Sequence, residues 1–306
     1  MNTIFGPVQS RRLGLSLGVD IVPLKTCSLS CVFCQVGATP QTTITRRQYI
    51  SAREILDELE AHLKTGAQPD WITFSGSGEP TLNSAIGEII RSIKAMTDIP
   101  VCVITNGTML LDSAVRHDVA PADAVMPSLH SAVEETYRKI CNSHKELSLD
   151  KIIDGLAEFR KMYTGKIWLE ILFVKGMNDS PAEIEALSAA IKRIDPDSIQ
   201  LNTVVRPPAE STALPVSGEK LEEIRAFFGP KAEIIAPQQD TPRNSEVVTV
   251  DDVRKYLLRR PGNIEEISKA LGASNSEIEH MIESLSDSGE ITKSEFSGKP
   301  YWEYVK

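Results

Sequence analysis

Short β-branched runs alternate with amphipathic helical segments along the first two thirds of this 306-residue chain. The segments between the runs carry apolar residues at helical spacing, and two begin with Ser-x-x-Glu capping boxes at Ser51 and Ser180. Six such units predict an α/β fold with a parallel sheet, a partial (βα)6 barrel similar to a TIM barrel. The predicted strands are 18–24, 70–76, 101–105, 122–129, 166–174 and 197–205.

Polar residues concentrate where these predicted strands end. In a parallel α/β barrel the chemistry lies at the C-terminal edge of the strands, so such residues become candidates for a site. A purely structural set would be scattered over both edges of the sheet, and this pattern therefore favours a functional site. The residues are the segment Ser75–Pro80, Asn106, Ser128, His130, Glu170, Lys175, Asn202 and Arg206.

Three of the five cysteines, Cys27, Cys31 and Cys34, lie in one short segment after the first predicted strand. An odd cysteine count, with no apolar secretory signal at the N-terminus, argues against a disulfide framework and predicts a cytoplasmic protein. A structural zinc site would need a fourth ligand, and the only other His or Cys within fifty residues is His62, in a predicted helix. Three thiolates suit a [4Fe–4S] cluster with one iron left open.

This C-x3-C-x2-C run, with Phe33 before its last cysteine, resembles the signature of the radical S-adenosylmethionine (SAM) superfamily. The resemblance implies that Cys27, Cys31 and Cys34 hold a [4Fe–4S] cluster whose open iron is chelated by the amino and carboxylate groups of SAM. An electron from a donor such as flavodoxin or ferredoxin would then cleave SAM to a 5′-deoxyadenosyl radical that abstracts hydrogen. Phe33 would lie beside the adenine.

The segment SGSGEP (75–80) is similar to the Gly-Gly-Glu-Pro loop that binds the amino group of SAM in this superfamily. Ser77 replaces the first glycine of that loop, and two flanking glycines let the backbone turn tightly and approach a ligand. For Glu170 and Asn202, expected to bind the ribose or methionine part, a structural role inside the barrel is the alternative. The residues expected to bind SAM are Phe33, Gly76, Gly78, Glu79, Asn106, Ser128, Glu170 and Asn202.

Two further residues are candidates for catalysis. His130 is a candidate proton donor or ligand, with a satisfied structural histidine as the alternative. Lys175 could bind substrate or form a Schiff base, and a solvated lysine is the alternative. Cys102, inside an apolar strand, is expected to be a core thiol, and Cys141, after a helix, is expected to be an inert surface or core cysteine.

Charge is distributed unevenly along the chain. The net charge is −9, yet residues 1–50 carry five basic side chains against one acidic side chain. A chain with this balance cannot coat nucleic acid with a general basic field, although a local basic patch can hold an anionic substrate. Arg11, Arg12 and Arg206 would suit a phosphate or carboxylate group of the substrate.

Five stretches within about residues 5–235 narrow the resemblance to a group related to the wyosine-type tRNA guanosine synthases. Archaeal members carry a second cysteine triplet, whereas this chain has no cysteine before Cys27, and His130 stands where the group often has aspartate. The expected function is therefore SAM cleavage and radical modification of a substrate such as a tRNA nucleobase, without the pyruvate chemistry of those relatives. The stretches are GPVQSRRLGLSLGVDIVPLKTC, FSGSGEPTL, ITNGTML, IWLEILFVKGMND and IQLNTVVRPPAE.

Two other functions stay open at this point. The first is an enzyme of the same chemistry that acts on a protein or a small metabolite, for example an activase that generates a glycyl radical. The second is an iron–sulfur sensor that regulates transcription through the C-terminal part of the chain. The SAM-type loops argue against a sensor.

The C-terminal part changes character at about Pro237. Residues 236–246 read as a linker, and residues 247–306 predict three short helices and a hairpin, the pattern of a winged helix-turn-helix. The presumed recognition helix, 276–287, has four acidic side chains and no Lys or Arg, so it would oppose DNA phosphate. Docking to a protein or closure over the barrel is expected instead of sequence-specific DNA binding. No stretch approaches the roughly 18 apolar residues that a membrane span needs.

Overall fold

The computed structural model describes residues 3–66, 68–235 and 248–305. An eight-stranded sheet runs through the larger part, and its strands follow chain order from β1 to β8. The first two strands form an antiparallel hairpin, and every later pair is parallel. The strands are β1 (Ile4–Ser10), β2 (Gly14–Val19), β3 (Trp71–Phe74), β4 (Val101–Thr105), β5 (Ala124–Pro127), β6 (Lys166–Phe173), β7 (Ser198–Thr203) and β8 (Ala232–Ile234).

Seven helices accompany this sheet within the described residues. Ser51 and Ser180 cap the first and sixth of them by accepting the backbone N–H groups of Glu54 and Glu183, as their positions in the sequence predict. The alternation of strand and helix confirms the α/β fold with a parallel sheet. The helices are α1 (Ala52–Leu63), α2 (Ile86–Met96), α3 (Ser113–Val119), α4 (Glu134–Cys141), α5 (Leu149–Met162), α6 (Pro181–Ile194) and α7 (Gly218–Phe228).

The sheet differs from the prediction at both ends. The first predicted strand, 18–24, overlaps β2 only at its first two residues, because the chain leaves the sheet after Val19. Ile21 and Val22 are nevertheless buried, so their apolar character reflects packing beneath the cysteine loop and not strand pairing. Strands β1 and β8 were not predicted. In β1 the register shifts near Pro7, which has no N–H to donate to the ladder.

The core lies between the sheet and its helices. It includes fully buried side chains from central strands and from the inward faces of α2 and α5, such as Ile72, Phe74, Ile89 and Phe159. Burial of each such side chain contributes about 1.5–3 kcal/mol to folding, which holds the strand ends in fixed positions. Among the described residues, no helix has the length and apolar character to cross a membrane.

Residues 248–305 form a smaller C-terminal module of three helices and an antiparallel hairpin, in the order that the sequence predicts. Ser274 and Glu277 make the reciprocal bonds of a capping box at the start of its third helix. The module has its own apolar core. The predicted linker, 236–246, lies outside the described residues. The elements are α8 (Val250–Arg259), α9 (Ile264–Leu271), α10 (Asn275–Asp287), β9 (Ile291–Phe296) and β10 (Lys299–Tyr304).

Candidate active site

The five cysteines fall into two environments. Cys27, Cys31 and Cys34, on the loop after β2, are partly exposed, and none of them forms a disulfide. Cys102, inside β4, and Cys141, at the end of α4, are fully buried. The burial of Cys102 in the sheet confirms that it is a core thiol.

The middle cysteine of the loop is held against the end of α4. Ser30 N–H donates to the carbonyl of Cys141 and Val32 N–H donates to the carbonyl of Ile140, both at 2.9 Å. These bonds flank Cys31, whose sulfur makes a hydrogen bond with the thiol of Cys141. This bond, together with burial, raises the pKa of Cys31 well above its usual value. Of the two settings expected for Cys141, surface or core, the structure shows the core, and it places this residue in contact with the site.

Two N–H donors approach the other two sulfurs. Asn106 Nδ2 lies 3.5 Å from Cys27 Sγ, and the ammonium of Lys25 lies 3.5 Å from Cys34 Sγ. Asn106 Nδ2 also donates to Ser28 Oγ at 2.9 Å, which fixes the start of the loop. Sulfurs of iron–sulfur clusters accept such bonds, and these bonds influence the reduction potential of the cluster.

Three thiols with these donors fit a [4Fe–4S] cluster. In residues 3–66, 68–235 and 248–305, no three or more His, Cys, Asp or Glu side chains are placed to hold one metal ion. A single zinc ion needs all its ligands within about 2.3 Å of one point. Each thiolate of a cubane cluster binds a different iron, so its three sulfurs need not converge in this way.

The glycine-containing loop after β3 is bonded directly to the cysteine loop. Lys25 N–H donates to the carbonyl of Ser77 at 2.8 Å, and Glu79 N–H donates to the carbonyl of Thr26 at 2.9 Å. A Cβ on Gly78 would lie 2.1 Å from that Thr26 oxygen, so only glycine fits. The two loops that the sequence assigns to the cluster and to SAM are thus adjacent at the C-terminal edge of the sheet.

The buried carboxylate of Glu79 holds the loop after β3 against the end of β4. Glu79 accepts hydrogen bonds from the backbone and hydroxyl of Thr81, from Thr105 Oγ1 at 2.6 Å and from Asn106 N–H at 2.6 Å. Burial raises the pKa of Glu79, although these hydrogen bonds act in the opposite direction. Both oxygens of Glu79 are thus bonded to the protein, so this residue shapes the predicted SAM site by joining the ends of β3 and β4.

Phe33 and His130 pack edge to face, with ring centroids 4.8 Å apart. The backbone N–H of Leu172 donates to His130 Nδ1 at 3.0 Å. Burial lowers the pKa of His130 to about 4, although Glu170 raises it. His130 is therefore neutral at pH 7, and its Nδ1 already accepts the hydrogen bond from Leu172. This geometry favours the structural alternative, in which the imidazole supports Phe33.

Glu170 lies at the centre of a polar group on the ends of β5, β6 and β7. Arg12 Nη1 donates to Glu170 Oε1 at 2.7 Å, and Asn202 Nδ2 lies 3.3 Å from the same oxygen. Ser128 pairs with Glu170 through an isolated β-bridge. Burial raises the pKa of Glu170, but the charge of Arg12 and the other nearby donors outweigh it and lower the pKa overall. Glu170 is therefore an ionised carboxylate.

Two predicted residues lie in other settings. Arg206, which is 5% exposed, pairs with Glu266 of α9 at 3.1 Å, so the predicted substrate ligand connects the barrel to the C-terminal module. Lys175 is exposed after β6, and only its backbone N–H, which donates to Leu214, has a bond in the described part of the chain. The structure does not bring Lys175 together with the other predicted residues.

Sequence reasoning missed three residues that shape the site. Asp20 accepts hydrogen bonds from the backbone and hydroxyl of Ser77 and so anchors the loop after β3. From the sequence, Lys25 stands out only as one of the basic residues near the start of the chain, and Cys141 is expected to be inert. The position of Asp20 at the end of β2 was a usable signal, whereas the contact between Cys31 and Cys141 has none in a single sequence.

Comparison with known proteins identifies relatives along the whole chain. A UPF0026 protein from Methanocaldococcus jannaschii is 32% identical over 312 residues, which cover 99% of this chain and 96% of that protein. A protein named GTPase Obg from Brachyspira hyodysenteriae is 36% identical over 299 residues, or 96% of this chain. This chain spans only 44% of the length of that second relative. The match along nearly the whole of both chains shows that this chain belongs to the same family as the UPF0026 protein.

The fold has a solved counterpart. A radical SAM methyltransferase from Sphaerobacter thermophilus superposes with a TM-score of 0.56 at 18% identity, covering 72% of this chain and 66% of the other. That likeness shows the fold alone. The protein-family model for the radical SAM superfamily matches residues 21–187, which include both the cysteine loop and the loop after β3. This chain therefore belongs to the radical SAM superfamily, whose enzymes bind a [4Fe–4S] cluster and SAM.

Proposed function

We propose that this protein cleaves SAM reductively and uses the resulting 5′-deoxyadenosyl radical to modify a nucleobase in tRNA. The observation that carries this proposal is the direct bonding of the cysteine loop to the loop after β3, through Lys25 to Ser77 and Glu79 to Thr26. It brings the thiols and the SAM-type glycine turn to one edge of the sheet. When bound, the cluster supplies the electron that cleaves SAM.

The residues of the cysteine loop bind the cluster and adjust how easily it is reduced. Cys27, Cys31 and Cys34 supply the three thiolates, and the ammonium of Lys25 and amide of Asn106 donate toward two of the sulfurs. These donors favour negative charge on the sulfur atoms, which makes reduction easier.

The residues around the SAM position orient it. Phe33 presents its ring for adenine, and the neutral imidazole of His130 keeps that ring in place. Glu170, kept ionised by Arg12, and Asn202 offer an acceptor and an amide for the ribose or methionine part. Gly76 and Gly78 let the backbone approach the amino group of SAM. Lys175 remains a candidate substrate ligand from the exposed end of β6.

A nucleic-acid substrate is supported by the resemblance to wyosine-type synthases and by the arginines at the barrel edge. Arg12 pairs with Glu170, Arg11 lies within electrostatic reach of Glu170 and Arg206, and phosphate is a preferred partner of guanidinium groups. This chain departs from that group in two features, its single cysteine triplet and His130. The proposal therefore includes the radical cleavage of SAM and leaves out the pyruvate chemistry of those relatives.

The C-terminal module is, in this proposal, a winged helix-turn-helix that closes on the barrel and does not read DNA. Its three helices followed by a hairpin support the assignment. The acidic helix α10 would repel phosphate, whereas Glu266 of α9 already contacts the barrel through Arg206. The five free cysteines suit a reducing cytoplasm, where flavodoxin or ferredoxin would supply the electron.

The test is an anaerobic assay of the cluster-loaded protein. SAM and a strong reductant are added with and without bulk small RNA, and 5′-deoxyadenosine is quantified. The expected result is 5′-deoxyadenosine that rises with RNA in the wild type and in Cys102→Ala and is absent in Cys31→Ala. Cleavage indifferent to RNA would move the substrate toward a protein or small metabolite, and a loaded cluster that cleaves no SAM would favour the sensor.

A further inference from the structure

Four guanidinium groups meet where the C-terminal module joins the barrel. Arg11 and Arg12 lie on the turn between β1 and β2, Arg206 follows β7, and Arg260 follows α8. Arg11 lies within electrostatic reach of the other three, and Arg260 within reach of Arg206. Three separate segments of the chain, one of them in the module, thus contribute positive charge to one place.

In the part of the chain that the structure describes, two carboxylates pair with members of this cluster. Glu170 pairs with Arg12 at 2.7 Å, and Glu266 pairs with Arg206 at 3.1 Å. Arg11 has no hydrogen bond or ion pair with the described residues, and Arg260 lies over the ring of Tyr256 at 4.5 Å. Four positive and two negative groups leave an excess of two positive charges. Arg11 and Arg260 carry this excess, because neither is paired with a carboxylate of its own among the described residues.

This arrangement is unfavourable unless an anion completes it. Arg11 and Arg260 are partly buried, and like charges in such surroundings repel one another more strongly than in water. Burial, then the charges of Arg206 and Arg12, lower the pKa of Arg11 to about 10. Burial likewise lowers the pKa of Arg260.

We propose that Arg11 and Arg260 together bind a phosphate group of a nucleotide substrate, so that the C-terminal module completes the substrate site of the barrel. A phosphate monoester carries close to two negative charges, and two adjacent phosphodiesters carry the same total, which matches the excess. A single carboxylate would neutralise only half of it. The inference rests on the proposed function for the identity of the substrate.

The position of the cluster suits this role. Arg11 also interacts with Glu170, which in turn lies within electrostatic reach of His130 beside Phe33. A phosphate bound by Arg11 would therefore lie on the side of the barrel that carries Glu170, one of the residues expected to bind SAM.

The experiment measures binding and needs no turnover. Isothermal titration calorimetry on the full-length protein compares guanosine 5′-monophosphate, guanosine and a short RNA oligonucleotide at low ionic strength. The expected result is phosphate-dependent binding that weakens about tenfold in both Arg11→Gln and Arg260→Gln, since each removes a charge-assisted pair of bonds. The matched control is Arg254→Gln, on α8, the helix that Arg260 follows, where Arg254 is paired with Glu290 and Asp251.

The arms separate the possible outcomes. If the monophosphate binds as tightly as the oligonucleotide, the ligand is a free nucleotide. If only the oligonucleotide binds, the ligand is the RNA backbone. Either result supports the proposal when both variants lose affinity. Binding that does not depend on phosphate, or an equal loss in Arg254→Gln, overturns it. Thermal unfolding of each variant shows whether it is folded. Phosphate-dependent binding by a protein that cleaves no SAM would refute the proposed function and leave the phosphate site intact.

Discussion

The barrel edge and the C-terminal module are held together in different ways. At the barrel edge, hydrogen bonds join the loops after β2, β3 and β4, and the Glu79 side chain accepts from Thr81 in its own loop and from Thr105 and Asn106 at the end of β4. The module has its own core and contacts that edge through polar pairs such as Arg206 with Glu266 and Tyr301 with the Val205 carbonyl. A tightly bonded edge suits chemistry, whereas a separately folded module suits the selection of substrate.

The largest effect that would sharpen this contrast comes from the cluster ligands. Cys31→Ala removes one of three thiolates, so we expect no stable cluster and no 5′-deoxyadenosine. Iron content and the electron paramagnetic resonance signal of the reduced protein measure the loss. Binding of guanosine 5′-monophosphate should persist in this variant, because its phosphate ligands lie elsewhere. Retained SAM cleavage would contradict the cluster assignment.

The next effect concerns the rigidity of the barrel edge and its dependence on pH. The pKa of His130 is about 4 in the folded protein, against 6.5 for an ordinary histidine. A depressed pKa means that His130 contributes stability fully above about pH 6.5, and that this contribution is lost as the pH falls toward 4. The free energy of unfolding should drop by about 2 kcal/mol from this group between pH 7 and pH 5.

The variant that isolates this contribution is His130→Asn, whose amide oxygen can still accept from the Leu172 N–H. The free energy of unfolding of this variant, measured in urea, should fall less steeply than that of the wild type over the same pH range. The exposed His280→Asn serves as control, and it should follow the wild type. Identical pH dependence in wild type and His130→Asn would show that the imidazole is not held neutral by burial.

Much of this architecture could be predicted because its causes are local. The β-branched runs at 101–105 and 166–174 and the serine caps at Ser51 and Ser180 act within a few residues, and all four were predicted correctly. The clustering of polar residues at one edge followed from the geometry of parallel strands. Strand β1 was missed because a Gly-Pro pair interrupts it, and such a pair ordinarily argues against a strand.

The rest depends on contacts between residues far apart in the chain. Cys31 with Cys141, Asp20 with Ser77, and the approach of Arg260 to Arg11 each join segments whose separation leaves no periodic signal. His130 shows the same limit in another way. Its place after β5 was predictable, but its neutral state depends on burial that only the packed structure reveals.

A smaller effect tests the junction between the two regions. Glu266→Gln leaves the buried guanidinium of Arg206 without its carboxylate, which should lower the free energy of unfolding by about 1–3 kcal/mol. The excess positive charge beside it rises, so guanosine 5′-monophosphate should bind more tightly. Calorimetry and urea unfolding measure the two changes. The matched control is Glu265→Gln, which changes an exposed neighbour paired with Lys269. Weaker nucleotide binding in Glu266→Gln would contradict the phosphate site.

The smallest effect lies within the barrel edge, at Cys141. The thiols of Cys141 and Cys31 are hydrogen-bonded in the absence of a cluster. Once Cys31 binds the cluster as a thiolate it has no proton to donate, so Cys141 becomes the donor, and a hydrogen bond to a cluster ligand raises the reduction potential of the cluster. Cys141→Ala should therefore lower that potential while SAM cleavage with excess strong reductant stays close to wild type. Cys141→Ser keeps a donor and should restore the potential, which a purely structural role would not explain. A potentiometric titration followed by electron paramagnetic resonance measures it, and equal potentials in all three proteins would show that the bond does not persist once the cluster is bound.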